Sequence, residues 1–358
     1  ETTHAGGPAL LVRCTKPGEI APRRGATVTH VSRSAPSLTA KDLADLDLMV
    51  ELRPDFVALS FVRTAEDIVG LRAELDRRGL GAVRIVAKIE KSEAMQDLDE
   101  IIAVSDAVMV ARGDLGIELG VARVPLAQKD IIRRATRAGK LAITATQMLE
   151  SMHLRPEPTR AEVADVANAI LDGTSVVMLS GETAQGSCPV ESVRAMADIA
   201  RVAEREVRPL DLAGLTLTDA EAVLQAAAVL GDGRGCACYI TPTQTGGSPR
   251  ALARQRPRAP IVALCHDEVA VRQLALEWGV VSRWYAPPDS ISALVDDALA
   301  VCVELLALPP GAPVVLTHGQ IFAMPESTSL IVLRHVPDRV ARVAGDPSAD
   351  LESPHVPS

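Results

Sequence analysis

The sequence predicts an α/β protein: five strand–helix repeats of the (β/α)-barrel kind within residues 36–210, then a separate α/β unit over 211–336. Nearly continuous apolar runs recur as FVALSFV (56–62), VRIVAKIE (83–90), DAVMVARGD (106–114), LAITATQ (141–147) and SVVMLSGE (175–182). Runs of this length without alternation belong to parallel strands covered on both faces. Amphipathic stretches near 65–78, 92–103, 125–138 and 159–172 separate them. The last is opened by the Pro and Thr of PTRAE, residues suited to a helix start. Each apolar run also ends in polar groups: Ser60, Lys88 with Glu90, Arg112 with Asp114, Thr146 with Gln147, and Ser180 with Glu182. In a (β/α) barrel the loops after the strands converge on that rim and build the site there. Solvated strand ends in a doubly wound sheet are the competing reading.

Residues 1–35 hold short β-like stretches, ALLVRC and ATVTHV, around a KPGE turn, too little for a domain and more like the end of something larger. The repeat pattern breaks around 205–217. Beyond it the spacing predicts a helix over 218–230, a strand over 236–240, a helix over 249–256 and a strand over 260–265. Helices over 268–278 and 290–307 and strands over 313–319 and 329–336 complete the second unit. Residues 337–358, rich in Pro, Asp and Ser, read as a flexible tail.

Composition excludes several function classes. The net charge is −9, the basic residues are scattered, and two Trp, two Tyr and three Phe leave little for stacking on bases, so nucleic acid is not an expected partner. No apolar run approaches the roughly 20 residues that span a bilayer, and the first residues lack a basic n-region and a cleavage site. A cytoplasmic protein without a membrane partner is expected. The six cysteines (14, 188, 236, 238, 265 and 302) form no CxxC pair and have no His at ligand spacing, which argues against a disulfide frame or a zinc site.

Glu90 and Asp114, on neighbouring strand ends, are the carboxylate pair that a magnesium site needs, with substrate and water completing the coordination. Lys88 lies two residues before Glu90, so alternation puts both on one face. A cation beside a metal-binding carboxylate suits an anionic substrate; a structural Lys–Glu ion pair is the alternative. After its strand, ARGDLG (111–116) can turn through Gly113 and aim backbone N–H groups at a carboxylate or phosphate. Thr146, Ser180 and Glu182 are groups able to handle protons, although singly each is more often a cap or turn residue. In the second unit, Thr243, Thr245 and Ser248 with Gly246 and Gly247 precede a helix and form a phosphate cradle or, on the simpler reading, a capped turn.

Five segments together carry a resemblance: IVAKIEKSEAM, DAVMVARGDLGIELG, AGKLAITATQMLESM, PEPTRAEVADVANAILDGTSVVMLSGETAQG and TQTGGSPRALARQRPRAPIVAL. In order and spacing they resemble the pyruvate kinase family, over roughly residues 10–336. The resemblance implies that the repeats are the last five strands of an eight-stranded TIM-type barrel, that 1–35 is a remnant of the lid domain, and that 211–336 is the regulatory domain. It implies phosphoryl transfer from phosphoenolpyruvate to ADP, giving pyruvate and ATP in glycolysis, with Mg2+ or Mn2+. K+ also belongs to the family, with ligands not found in this chain. By the same resemblance Lys88 stabilises the transferring phosphoryl group and Glu90 and Asp114 hold the metal. The backbone of Ala111, Arg112 and Gly113, with Asp114 and Thr146, binds substrate, while Thr146, Ser180 and Glu182 serve the enolate and its proton. Thr243, Thr245, Gly246, Gly247 and Ser248 would take the phosphate of a sugar or nucleotide effector, and the complete protein would be a homotetramer. KPGEIAPRRGATV and HGQIFAMPESTSL depart from the family's lid turn and second effector loop. With the first barrel strands and the family's phosphoryl-contacting arginine unmatched, this chain alone is expected to be incomplete and inactive. Two alternatives are a non-catalytic homologue acting in oligomerisation or metabolite sensing, and a lyase or decarboxylase acting on a pyruvate enolate.

Overall fold

The computed structural model describes residues 2–4, 7–9, 13, 17–19, 36–210, 214–286, 291–319 and 328–338. The expectations for Cys14, for most of KPGEIAPRRGATV, for 320–327 and for nearly all of the tail lie outside the described residues. Residues up to Ala35 and those from Pro36 onward form two units. In the first, β1 (Thr2–His4) and β2 (Gly7–Ala9) pair antiparallel.

The second unit opens with α1 (Ala40–Leu52), β3 (Phe56–Leu59), α2 (Ala65–Arg77), β4 (Arg84–Ile89), α3 (Ser92–Gln96) and α4 (Leu98–Val104). It continues with β5 (Ala107–Ala111), α5 (Arg112–Leu119), α6 (Val124–Arg137), β6 (Leu141–Ala145), α7 (Arg160–Leu171), β7 (Val176–Met178), α8 (Gly181–Ala184) and α9 (Pro189–Ala203). Strands β3 to β7 make one parallel sheet in sequence order, with β3 and β7 at its edges. Alternation along each strand divides two cores. Ile85, Ala87, Ile89, Val108, Val110 and Ala142 face Ile68, Leu71, Ile101 and Ile131 of the covering helices. Val86, Ala107, Met109, Leu141, Ile143 and Ala145 face the other way, where Leu276 of the C-terminal part packs against them. Lys88 has the parity of Val86, so it projects on this inner side.

The C-terminal part comprises α10 (Asp219–Arg234), β8 (Cys238–Thr243), α11 (Gly247–Arg254), β9 (Ile261–Cys265), α12 (Glu268–Gln273), β10 (Val280–Trp284), α13 (Ile291–Leu306), β11 (Pro313–Gly319) and β12 (Thr328–His335). Its sheet runs in the order β10-β9-β8-β11-β12, parallel except for the β11–β12 pair. The chain leaves β8 in one direction and returns on its other side at β11, so the carboxyl end of β8 is the topological switch point, where open α/β sheets bind ligands.

The α/β prediction stands, with local corrections. The expected helix over 92–103 is two helices meeting at Asp97, whose carboxylate turns aside to accept the Ala65 N–H at 2.7 Å. The expected helix over 268–278 ends at Gln273 in a 3-10 turn, and the strand Val280–Trp284 that follows is additional. The Arg112–Asp114 turn is instead the first turn of α5. Strand β8 starts at Cys238 and reaches Thr243, two to three residues later than expected at each end.

Candidate active site at the strand carboxyl ends

Lys88 and Glu90 leave the end of β4 on one face, as alternation requires. The Lys88 ammonium lies 2.7 Å from Glu90 Oε1 and donates to Ser60 Oγ at 2.7 Å. Glu90 is 1% exposed, and its other oxygen accepts the Phe61 N–H at 2.7 Å. Holding that N–H in place puts Phe61 at φ +58°, a left-handed conformation that a bulky side chain rarely adopts. One residue on, Lys91 points elsewhere and pairs with buried Glu118 at 2.5 Å, so the two lysines do not compete for one carboxylate.

β5 passes directly into α5. Its N-cap is Ala111, which has no side chain to accept from the first N–H groups of the helix. Those donors and the positive end of the helix dipole therefore face the rim, a setting that favours an anion. Asp114 sits half-buried in this first turn, and its carboxylate makes no hydrogen bond or ion pair with the described residues. The Gly113 N–H donates to Thr146 Oγ1 at 3.0 Å, which links the ends of β5 and β6.

Thr146 and Gln147 both lie in the left-handed region, at φ +67° and +54°. A β-branched residue there is strained and persists only when its surroundings over-determine it. The restraint is the Arg112 side chain, 6% exposed. Its Nε and Nη2 donate to the Thr146 carbonyl at 3.0 and 2.6 Å, and Nη2 reaches the Gln147 carbonyl at 2.8 Å. Nη1 pairs with Asp165 of α7 at 2.6 Å. This guanidinium is a clamp on the β6 loop, a role that sequence reading did not assign to it. Phe61 and Asp165 were also missed; neither carries a signal outside the fold.

At the end of β7, Glu182 is 1% exposed and accepts the backbone N–H groups of Leu149 at 3.1 Å and Ser180 at 2.8 Å. It ties the β6 and β7 loops together. Ser180 Oγ is buried beside it without a hydrogen-bond partner. In the C-terminal sheet, Thr243 Oγ1 accepts the Gly246 N–H at 2.9 Å, Gly246 stands at φ +83°, and Ser248 Oγ meets Thr328 Oγ1 at 2.8 Å. Thr245 and Gly247 are exposed. The loop thus sits at the switch point, folded on itself at one end and open at the tip.

Residues 2–193 match the family model described as pyruvate kinase, barrel domain, and residues 221–333 match that of the pyruvate kinase alpha/beta domain. The chain belongs to the pyruvate kinase family. Pyruvate kinase of Geobacillus stearothermophilus is 39% identical over 335 residues, covering 92% of this chain and 57% of the relative. That of Clostridium acetobutylicum is 40% identical over 312 residues, covering 82% and 64%, and that of Clostridium perfringens 36% over 337 residues, covering 92% and 71%. The chain therefore spans about three-fifths of the length of the first two pyruvate kinases. Among the described residues, no cluster of three or more His, Cys, Asp or Glu could hold a metal by itself, and no helix is long and apolar enough to cross a membrane. Of the two carboxylates expected to hold a metal, Asp114 is unengaged among the described residues, whereas both oxygens of Glu90 are taken, by Lys88 and by the Phe61 N–H, so a hard cation would have Asp114 freely and Glu90 in competition with Lys88.

Proposed function

We propose that this rim serves phosphoryl transfer from phosphoenolpyruvate to ADP, the activity of a pyruvate kinase. The observation that carries the reading is the Lys88 ammonium held between Ser60 and buried Glu90, beside an uncapped helix start with a free Asp114 carboxylate. Phosphoryl transfer needs mainly positioning and charge neutralisation, and these groups supply both. Lys88 meets charge growing on the phosphoryl oxygens. The first backbone N–H groups of α5, at Arg112 and Gly113, are assigned to the substrate carboxylate, the Gly113 N–H exchanging its Thr146 Oγ1 acceptor for the substrate. As the bond from phosphorus to the enol oxygen breaks and the bond to an ADP oxygen forms, an enolate remains, and its carbon takes up a proton. Ser180, whose hydroxyl has no partner among the described residues, is the relay this arrangement favours, passing its proton on as it takes one from water; Glu182 keeps it in position while holding the two loops. Glu90 and Asp114 would hold Mg2+ or Mn2+, which when bound contributes Lewis-acid neutralisation of substrate oxygens. K+ would use ligands from elsewhere in a complete enzyme. We also assign Thr243–Ser248 to an effector phosphate, residues 1–35 to a lid remnant, 36–210 to the barrel and 211–336 to the regulatory domain, in a cytoplasmic protein that assembles as a tetramer when complete.

The test measures Mn2+ binding by electron paramagnetic resonance together with ADP-dependent pyruvate formation. Glu90→Gln and Asp114→Asn should each weaken Mn2+ binding by tenfold or more, roughly the loss of one charged ligand. Lys88→Met should leave it within about threefold and, placed in a complete enzyme, lower turnover by about a thousandfold, the usual scale for removing a charge aimed at a transition state. Mn2+ binding indifferent to both carboxylate variants, or pyruvate released without ADP, would overturn the reading.

A further inference from the structure

The amino ends of β6 and β7 meet the C-terminal part of the chain around a small cleft open to solvent on one side. Four cations, Lys140, Arg250, Arg254 and Arg256, line it against one carboxylate, Glu277. That carboxylate is already engaged: Arg250 Nε lies 3.1 Å away and Arg84 4.0 Å. Arg254 pairs with Glu221 at 2.9 Å. Neither Lys140 nor Arg256 has a carboxylate within ion-pair distance among the described residues. Lys140 donates to the carbonyls of Ser105 at 2.6 Å and Ala103 at 3.2 Å. Arg256, 7% exposed, donates to the Gly173 carbonyl at 2.6 Å and lies 4.4 Å over the Trp278 ring.

Two guanidinium nitrogens, Arg250 Nη2 and Arg254 Nε, are buried with no acceptor at all. Buried donors of charged groups are costly to leave unmade, and buried cations without partners more so. The titration behaviour agrees. Burial holds Lys140 and Arg254 below their ordinary values, and it does the same to Arg250 with Arg84 adding repulsion. Arg256 is brought down to about 10 by burial. The cluster is short of negative charge and of acceptor atoms, and an oxyanion supplies both. Planar guanidinium forks match the oxygens of a phosphoryl group, and a lysine adds a point charge.

We propose that this cleft binds a phosphate-type oxyanion, either inorganic phosphate or the phosphoryl end of a small metabolite, between the barrel strands and α11. It is a different place from the strand-end rim, and no residue of Thr243–Ser248 lines it. Arg250 nevertheless touches both regions, because its Nη1 donates to the Thr245 carbonyl at 2.7 Å.

Thermal unfolding of the purified chain in phosphate, in glycerol 3-phosphate and in chloride of equal ionic strength tests the proposal. Titration calorimetry and a tungstate-soaked crystal complete the experiment. Phosphate should raise Tm where chloride does not, and tungstate should lie against Arg250 and Arg254. Lys140→Gln and Arg254→Met should each weaken phosphate binding by about tenfold, the scale for losing one charge-assisted hydrogen bond. Lys140→Gln alone suffices if Arg254→Met does not fold. Ser248→Ala, outside the cleft lining, should leave the tungstate peak against Arg250 and Arg254 in place. Equal affinity for phosphate and glycerol 3-phosphate assigns a phosphoryl-bearing metabolite, and preference for phosphate assigns the free anion. Equal protection by chloride, or binding lost in Ser248→Ala and kept in Lys140→Gln, would overturn the proposal.

Discussion

Gly231 and Gly181 show how one added methyl group has unequal consequences in two surroundings. In the middle of α10, a Cβ on Gly231 would meet the Tyr239 ring at 2.4–2.5 Å. That ring is fully buried, and its hydroxyl donates to the Ala228 carbonyl at 3.0 Å and to Asp232 at 2.9 Å, so it has nowhere to go. Gly231→Ala should therefore lose about 1–3 kcal/mol by overpacking, outweighing the gain in helix propensity of roughly 1 kcal/mol. At Gly181 the obstacle is the His153 ring, at 2.2 Å, which is part-exposed and can rotate. Gly181→Ala should cost less than half as much, and urea titration of the two variants compares them directly. The cysteines separate in the same way. Burial pushes the Cys236 thiol up to about 11 and Cys265 to about 12, whereas Cys188 is half-buried. Iodoacetamide at pH 8 should label Cys188 and spare both others, as read by peptide mass spectrometry. Because the raised value favours the protonated fold, the contribution of Cys236 to stability is present below the ordinary thiol value of 9.0 and lost as pH climbs through about 11.

Helix starts explain what was legible at the scale of elements. Four helices begin with a reciprocal capping box, Thr39 with Asp42, Thr64 with Asp67, Thr159 with Glu162 and Thr218 with Glu221. The pattern is local, and α2, α7 and α10 start within one residue of where the sequence put them, although α10 runs four residues further than expected. Glu162 does more than cap. Its carboxylate accepts from Ser151 N at 2.7 Å and Ser151 Oγ at 2.6 Å as well as from Thr159, fastening the loop after β6 to α7. Thr159→Ala should cost about 1 kcal/mol and Glu162→Ala about 2 kcal/mol, since the second also releases that loop. A measured order with Thr159→Ala the larger would show that the loop contact contributes nothing. The five barrel strands were legible because burial on both faces leaves a continuous apolar run. Lys88 and Glu90 were legible as a pair because period-two spacing needs no tertiary information. Strand β10, VVSRW, was not: only one of its neighbours, β9, flanks it, and its half-exposed pattern resembles loop. The clamp role of Arg112 was equally hidden, since its acceptors are carbonyls 34 and 35 residues away.

For the molecule as a whole, the decisive feature is how the C-terminal part is seated on the amino ends of the barrel strands. Arg272 pairs with Asp55 at 3.0 Å, Gln273 donates to the Ala82 carbonyl at 2.8 Å, and Arg256 reaches Gly173. With these polar contacts and Leu276 packed against the inner side of the parallel sheet, the two sheets should unfold together. Fluorescence from Trp278, at that junction, and far-ultraviolet circular dichroism should report one coincident urea transition; separate midpoints would show two independent foldons. Within the parallel sheet, β5 is central and buried throughout, while β3 and β7 form its edges. Amide exchange should be slowest in β5 and faster in both edges, whose outer groups have no ladder partner among the described residues.

The left-handed residues at the rim have a bearing on evolution and engineering. Phe61, Thr146 and Gln147 each hold a conformation that glycine would adopt without steric penalty. A selection for thermal tolerance alone would find relief at these three positions, on the order of 1 kcal/mol apiece. Each such gain would loosen the carbonyls that Arg112 grips or the N–H that Glu90 accepts. Variants ranked by melting temperature would thus tend to be those with the least organised rim. A search for a hardier form of this protein should hold these three residues fixed and look for stability elsewhere.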